Sequence, residues 1–148
     1  MSNADRVTFE QTCLVRDTCL CLNLQRAARA VARRFDAAFR PLDLTNGQFS
    51  LLMSLNRPEP ASMGSVANLL AMDRTTLTAA LKPLERRGLV TVAVDAKDRR
   101  GRHLSLTAPG HALLAAALPI WQREHAAIDA QFTDGGPARL RTDLQALA

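Results

Sequence analysis

The sequence predicts a mainly α-helical fold with one small β-hairpin, and three observations carry that expectation. Apolar residues recur at helical spacing over both ends of the chain. Residues 89–94 and 103–107 alternate as two half-buried strands. Between them lies a basic loop, Asp95-Ala96-Lys97-Asp98-Arg99-Arg100-Gly101-Arg102.

The elements follow in order. A long first helix is expected over 14–39, because Leu20, Leu24, Ala28, Val31, Phe35 and Phe39 recur on one helical face. Pro41 ends it. Arg26, Arg29, Arg33 and Arg34 fall largely off that stripe, on solvated faces. Thr45 and Gln48 form a capping box for a second helix that buries Phe49, Leu52 and Met53. After the turn Arg57-Pro58-Glu59-Pro60, Ser62 caps a third helix whose Val66, Leu69 and Leu70 face inward. Asp73 caps a fourth helix, running from Arg74 to Arg87 and stopped by Gly88. Thr107 caps a long alanine- and leucine-rich helix over 108–132, which Pro119 should kink. Asp134-Gly135-Gly136-Pro137 breaks the chain, and a last helix carries Leu140, Leu144 and Leu147 on one face.

The chain has 148 residues and a formal charge of +5, enough length for one domain with helical extensions. Placement says more than size. Residues 74–102 hold eight cations (Arg74, Lys82, Arg86, Arg87, Lys97, Arg99, Arg100, Arg102) against Glu85, Asp95 and Asp98. That segment, 8 − 3 = +5, accounts for the whole net charge, so the rest of the chain sums to zero. A concentrated patch of this kind neutralises phosphates and binds polyanions with salt-sensitive affinity. A polar helix followed by a basic hairpin is a shape that reads duplex DNA. The apolar stripes at the two ends have no partner inside so small a lobe. A symmetric dimer would bury them, and its two-fold axis would match a pseudo-palindromic operator.

No apolar run is long enough to span a bilayer. The N-terminus lacks the basic-then-apolar pattern of a signal peptide, so a cytoplasmic location is expected. Ser2, Asn3 and Ala4 resemble a linker left from cloning and carry no weight. Cys13, Cys19 and Cys21 are odd in number, which argues against a disulfide scaffold, and their spacing fits no familiar metal site. His103, His111 and His125 are scattered and accompany no nucleophile motif, phosphate loop or metal spacing. Neither catalysis nor a cofactor is expected.

The residues from Met72 to Thr78, then Leu84-Glu85-Arg86-Arg87-Gly88-Leu89-Val90, Asp98-Arg99-Arg100-Gly101-Arg102 and Leu106-Thr107-Ala108-Pro109-Gly110, together resemble the MarR family of bacterial transcription regulators. The resemblance covers most of the chain. It implies a winged helix-turn-helix lobe over 45–107, flanked by dimerisation helices over 8–41 and 108–148. It also implies a homodimeric repressor released from DNA by a small ligand or an oxidant. Arg74, Thr75, Thr76 and Thr78 match the part of the recognition helix that meets bases and phosphates, with Lys82 further along. Thr76 and Leu77 can equally be packing residues. Asp98 and Arg100 match the family's wing pair. One wing arginine is expected in the minor groove, with Arg99 and Arg102 as competitors for that place and Lys97 beside them. The chain departs from many relatives in having Ala79 where they carry arginine, and in carrying Pro83 late in the recognition helix.

Two triggers follow from the resemblance. Relatives bind aromatic or amphipathic acids in a cleft that here would be lined by Phe35, Phe49, Leu52 and Met53, with Arg26 or Arg29 pairing the anion. Alternatively, Leu20-Cys21-Leu22 resembles the reactive-cysteine position of the organic hydroperoxide resistance regulators. In that branch tyrosine hydroxyls support the thiolate. This chain has no tyrosine, Phe35 and Phe49 standing in those places, which favours a buried structural Cys21. A further alternative is a winged-helix interaction module that no longer binds DNA.

Overall fold

The computed structural model describes residues 6–148; Ser2, Asn3 and Ala4 lie outside them. The chain divides into two compact units, Met1–Arg34 and Phe35–Ala148.

The first unit is helical. Helix α1 (Phe9–Thr18) opens on a capping box: Thr8 Oγ1 accepts the Gln11 N–H at 3.2 Å, and Gln11 Oε1 accepts the Thr8 N–H at 2.9 Å. Helix α2 (Leu20–Phe39) follows at once. The single first helix expected from periodicity is therefore two helices. Cys19, between them, has extended backbone angles (φ −65°, ψ 110°). Neither glycine nor proline marks the break. Local bonds hold it: the Thr18 hydroxyl donates back to Leu14 O at 2.7 Å, and Cys19 Sγ accepts the Leu22 N–H at 3.5 Å. Cys19 thus sits at a cap, not on a helical face as a continuous helix would require. Cys21 is exposed, which corrects the buried placement expected for it, and Gln25 Nε2 donates to its sulfur at 3.1 Å. Val7, Phe9, Leu14, Val15 and Leu20 are exposed.

The second unit holds the core. Phe35 and Phe39, in the last turns of α2, stack with Phe49 and then Trp121, ring centroids 5.8, 4.9 and 6.5 Å apart. A 3₁₀ turn (Arg40–Leu42), with Pro41 near its start, leads to Asp43, which is left-handed (φ 49°). The expected capping box at Thr45 and Gln48 opens α3 (Asn46–Leu55). Asp36 reinforces that start by accepting both the Asn46 backbone N–H (2.7 Å) and its side-chain amide (2.8 Å). Phe49 and Leu52 are buried as expected, whereas Met53 is 41% exposed.

Ala61–Ser62 forms a two-residue strand, β1, where only a turn and a helix cap are expected. It pairs with β3 (Arg102–Leu106), which also pairs with β2 (Val90–Val94); all neighbours are antiparallel and β3 is central. The hairpin expected from alternation is thus part of a three-stranded sheet. Ser62 caps α4 (Met63–Leu69), accepting the Ser65 N–H at 3.1 Å. Val66 is buried, but Leu69 is 63% exposed, contrary to the inward place expected for it. Leu77, Leu81 and Leu84 bury one face of α5 (Arg74–Arg86). The helix runs through Pro83, which leaves the Ala79 carbonyl without its usual helical N–H donor.

Helix α6 (Ala108–Asp129) is capped by Thr107 and contains Pro119; it stops three residues short of the expected end. Its first turn approaches the chain at Leu89 very closely. Thr107 Oγ1 donates to Gly88 O at 2.6 Å, the Thr107 N–H donates to Leu89 O at 3.1 Å, and a Cβ on Gly110 would lie 2.1 Å from that same oxygen. Helix α7 (Gly136–Gln145) leaves Leu140 and Leu144 partly exposed, and Leu147 beyond its end is exposed.

Candidate nucleic-acid interface

Helix α5 is amphipathic. Its leucines go into the core, and Arg74, Thr75, Thr76, Thr78, Ala79 and Lys82 remain exposed. Asp73 starts it, with one carboxylate oxygen accepting the Thr76 N–H and the other the Thr76 hydroxyl, both at 2.7 Å. The backbone N–H of Thr76, then its hydroxyl, hold the Asp73 carboxyl below the usual carboxylate range. Two of the candidate hydroxyls already donate within the helix: Thr76 to Asp73, and Thr78 to Arg74 O at 2.8 Å. Their oxygens are left to act as acceptors. Thr75 is exposed at the helix start. Leu77 is fully buried, so only that member of the Thr76–Leu77 pair is a packing residue.

The loop between β2 and β3 owes its shape to carboxylates acting on main-chain N–H groups. Asp95 Oδ1 accepts the Lys97 N–H at 2.8 Å, and Asp98 Oδ1 accepts the Arg100 N–H at 3.0 Å. Gly101 closes the turn with its N–H on Asp98 O (2.9 Å) and its carbonyl on the Asp95 N–H (3.1 Å). The Lys97 N–H holds the Asp95 carboxyl below its ordinary range, against a smaller opposing effect of burial; His103, its Nε2 3.1 Å from Asp95 Oδ2, adds to the lowering. Asp98 therefore acts on Arg100 through its backbone N–H and forms no ion pair with its guanidinium. Among the described residues no carboxylate lies within ion-pair reach of Lys97, Arg99, Arg100 or Arg102. All four are exposed. Arg102 Nη1 donates only to the Arg99 and Gly101 carbonyls, at 3.2 and 3.1 Å.

Helix and loop share one groove of about 600 Å³, walled by Arg74, Thr78, Lys82 and Glu85 on α5 and by Asp95, Asp98, Arg100 and Arg102 on the hairpin, four cations against three carboxylates. Lys97 and Arg99 lie outside its walls, further along the loop. The arrangement offers cations and hydroxyl acceptors on a convex helix beside a projecting basic loop. That combination suits a duplex, whose phosphates flank a groove wide enough for one helix.

The sequence profile of the MarR family matches residues 44–101. Over 101 residues, 68% of this chain and 69% of the relative, the chain is 30% identical to the organic hydroperoxide resistance transcriptional regulator of Bacillus subtilis (strain 168). Among solved structures it is similar to the M. tuberculosis transcriptional regulator MosR in complex with DNA, at 38% identity and a TM-score of 0.80, covering 87% of this chain and 92% of that one. The chain belongs to the MarR family. A second similar structure is the transcriptional repressor CouR bound to a 23-mer DNA duplex, at 29% identity, a TM-score of 0.78 and coverage of 86% and 91%. The chain spans 54% to 69% of the length of the first curated relatives it matches. For a MarR-family chain, the mainly helical architecture with a small antiparallel sheet is the expected one.

The residues nominated for an effector are dispersed differently. A second cavity, about 340 Å³, is walled by Phe49, Ser50, Met53, Ser54, Leu69, Leu118 and Trp121. Phe49 and Met53 thus line it, while Leu52 is fully buried and Phe35 lies in the aromatic stack. Its walls include no cationic side chain. Arg26 and Arg29 line a shallow surface of α2 with Asn23 and Arg33. Sequence reasoning missed Trp121 and Leu118, whose place on α6 depends on how that helix packs against α3. No helix is long and apolar enough to cross a membrane among the described residues.

Proposed function

We propose that this chain is a dimeric, sequence-specific regulator of transcription that binds double-stranded DNA and acts as a repressor. The single observation carrying this reading is the shared groove, where the exposed face of α5 stands beside wing cations that form no ion pair among the described residues, the lining Asp95 and Asp98 being turned to main-chain N–H groups. Arg74, Thr75, Thr76, Thr78 and Lys82 would enter the major groove, and Lys97, Arg99, Arg100 and Arg102 would meet phosphates or the adjoining minor groove. The similar MosR and CouR structures, both in complex with DNA, support it. Residues 45–107 form the DNA-reading lobe of this proposal. Segments 8–41 and 108–148 supply dimerisation, supported by the exposed Leu14, Val15, Leu20, Leu144 and Leu147. Two recognition helices would then address half-sites about one helical turn apart. The role is regulatory and not catalytic, in the cytoplasm. Fluorescence anisotropy on the promoter beside its own gene tests the reading; absence of binding at low salt to that and to palindromic duplexes defeats it.

Release is assigned to a small aromatic or amphipathic ligand in the cavity beneath Phe49 and Trp121. Such a ligand frees DNA only by binding more tightly to a dimer whose helices are wrongly spaced. A second reading is favoured by one observation: Cys21 is exposed and receives an N–H from Gln25. Oxidation of this thiol would then be the trigger, as the name of the Bacillus relative suggests. Loss of an oxidant response in Cys21→Ser, with the ligand response retained, separates the two.

A further inference from the structure

Arg87 belongs by sequence to the basic segment, one residue beyond α5. Its guanidinium is engaged elsewhere. Nη1 donates to the carbonyl of Asp43, 44 residues earlier, at 2.7 Å. Asp43 is a fixed anchor: it is one of two described non-glycine residues with positive φ, its N–H is bonded to Arg40 O at 3.0 Å, and its neighbour Leu44 is buried in the core. The next two residues are also tied. Gly88 O accepts the Thr107 hydroxyl and Leu89 O accepts the Thr107 N–H, at 2.6 and 3.1 Å. Three consecutive residues at the end of α5 are therefore fastened to two different elements, the turn after α2 and the start of α6.

We infer that Arg87 is a positioning residue for DNA recognition, setting the angle of α5 through the Asp43 carbonyl and making no phosphate contact of its own. The inference rests on the DNA-binding reading above. Its neighbour Arg86 is exposed at the end of α5, and the phosphate contacts fall to the wing cations in that reading. A hydrogen bond from a charged donor to a backbone acceptor is among the stronger ones. Losing it frees the helix end, and a misaimed helix forfeits base contacts without forfeiting charge interactions with the backbone of the duplex.

The test compares the wild-type full-length protein with Arg87→Ala and Arg100→Ala on a duplex enriched from a random-core library, over a range of salt concentrations. Arg87→Ala should weaken binding about three- to tenfold and leave the slope of log affinity against log salt unchanged. Arg100→Ala should flatten that slope by about one. Hydrogen exchange at the Asp43, Gly88 and Leu89 amides is measured without DNA and should quicken in Arg87→Ala. If that variant does not fold at the assay temperature, Arg87→Met, which keeps the aliphatic stem and removes charge and donor, takes its place. A slope that flattens makes Arg87 a phosphate contact and overturns the inference. Unchanged exchange also overturns it, and so does a lowered melting temperature with unaltered affinity. Failure of the wild type to bind any duplex defeats the regulator reading instead, while the exchange arm still decides whether Arg87 holds the helix end.

Discussion

Replacing Gly110 with alanine should destabilise the protein, although the same change elsewhere in a helix would stabilise it. Alanine is favoured over glycine in a helix interior by roughly 0.5–1 kcal/mol. Against that stands the packing of α6 on the end of α5. A Cβ on Gly110 would lie 2.1 Å from Leu89 O and 3.1 Å from the Leu89 carbonyl carbon. The obstacle is main chain and cannot rotate away. The two segments must part by about 1 Å to restore an ordinary contact. That retreat pulls Leu89 O from the Thr107 N–H and strains the Thr107 hydroxyl bond to Gly88 O. Overpacking costs about 1–3 kcal/mol, and a weakened hydrogen bond about 1 kcal/mol more. After subtracting the helix gain, a net loss of about 1–3 kcal/mol remains. For a chain of this size the midpoint should fall by very roughly 3–10 °C. Thermal and urea melts at fixed protein concentration measure it, since dimer stability depends on concentration. Gly47 in α3, whose Cβ would meet nothing within 4 Å, is the control and should become slightly more stable as alanine. A Gly110→Ala protein as stable as wild type would refute the close approach.

Three further outcomes are expected. Arg99→Ala and Arg100→Ala should each weaken DNA binding, and the salt slope should flatten by about one for each side chain that meets a phosphate; unaltered slopes for both in anisotropy titrations would remove the wing from the interface. The carboxyl of Asp36 is held below its ordinary range by the Asn46 backbone N–H first and the Asn46 amide second. Its contribution is therefore full above the unfolded-state value near pH 4 and is lost as pH falls through the lower folded value; urea melts on Asp36→Asn should show less acid loss than wild type and lower stability at neutral pH. Trp121 is the chain's one tryptophan and walls the cavity with Phe49, so an aromatic effector should quench fluorescence, and Leu118→Phe, which narrows the cavity, should weaken the quenching; equal quenching in that variant would place the effector elsewhere.

What the sequence disclosed was chemistry local in the chain. The caps at Thr45, Ser62, Asp73 and Thr107 were all legible, because each depends on a side chain meeting an N–H three residues on. The helix α5 and the two strands beside the basic loop were legible for a similar reason: polar and apolar positions alternate with the period of the element they form. What escaped depends on distant partners. The two residues of β1 form a strand only because β3 offers a free edge. Leu69 has inward periodicity yet lies at the end of a seven-residue helix, beyond the part that the core reaches. The break at Cys19 carries no glycine or proline to announce it. Arg87 read as one more positive charge until the Asp43 carbonyl was seen beneath it.

The division of labour inside the hairpin loop has a consequence of its own. Two aspartates and a glycine fold the loop through main-chain atoms, while the cationic side chains take no part in ion pairs that would need breaking on arrival. Contour and chemistry are thereby separable. Lys97, Arg99 and Arg100 can be exchanged for other residues, one position at a time, with the loop's outline preserved, whereas Arg102 also ties the Arg99 and Gly101 carbonyls. Such a tip can be retuned toward a new stretch of base pairs without rebuilding the scaffold that carries it.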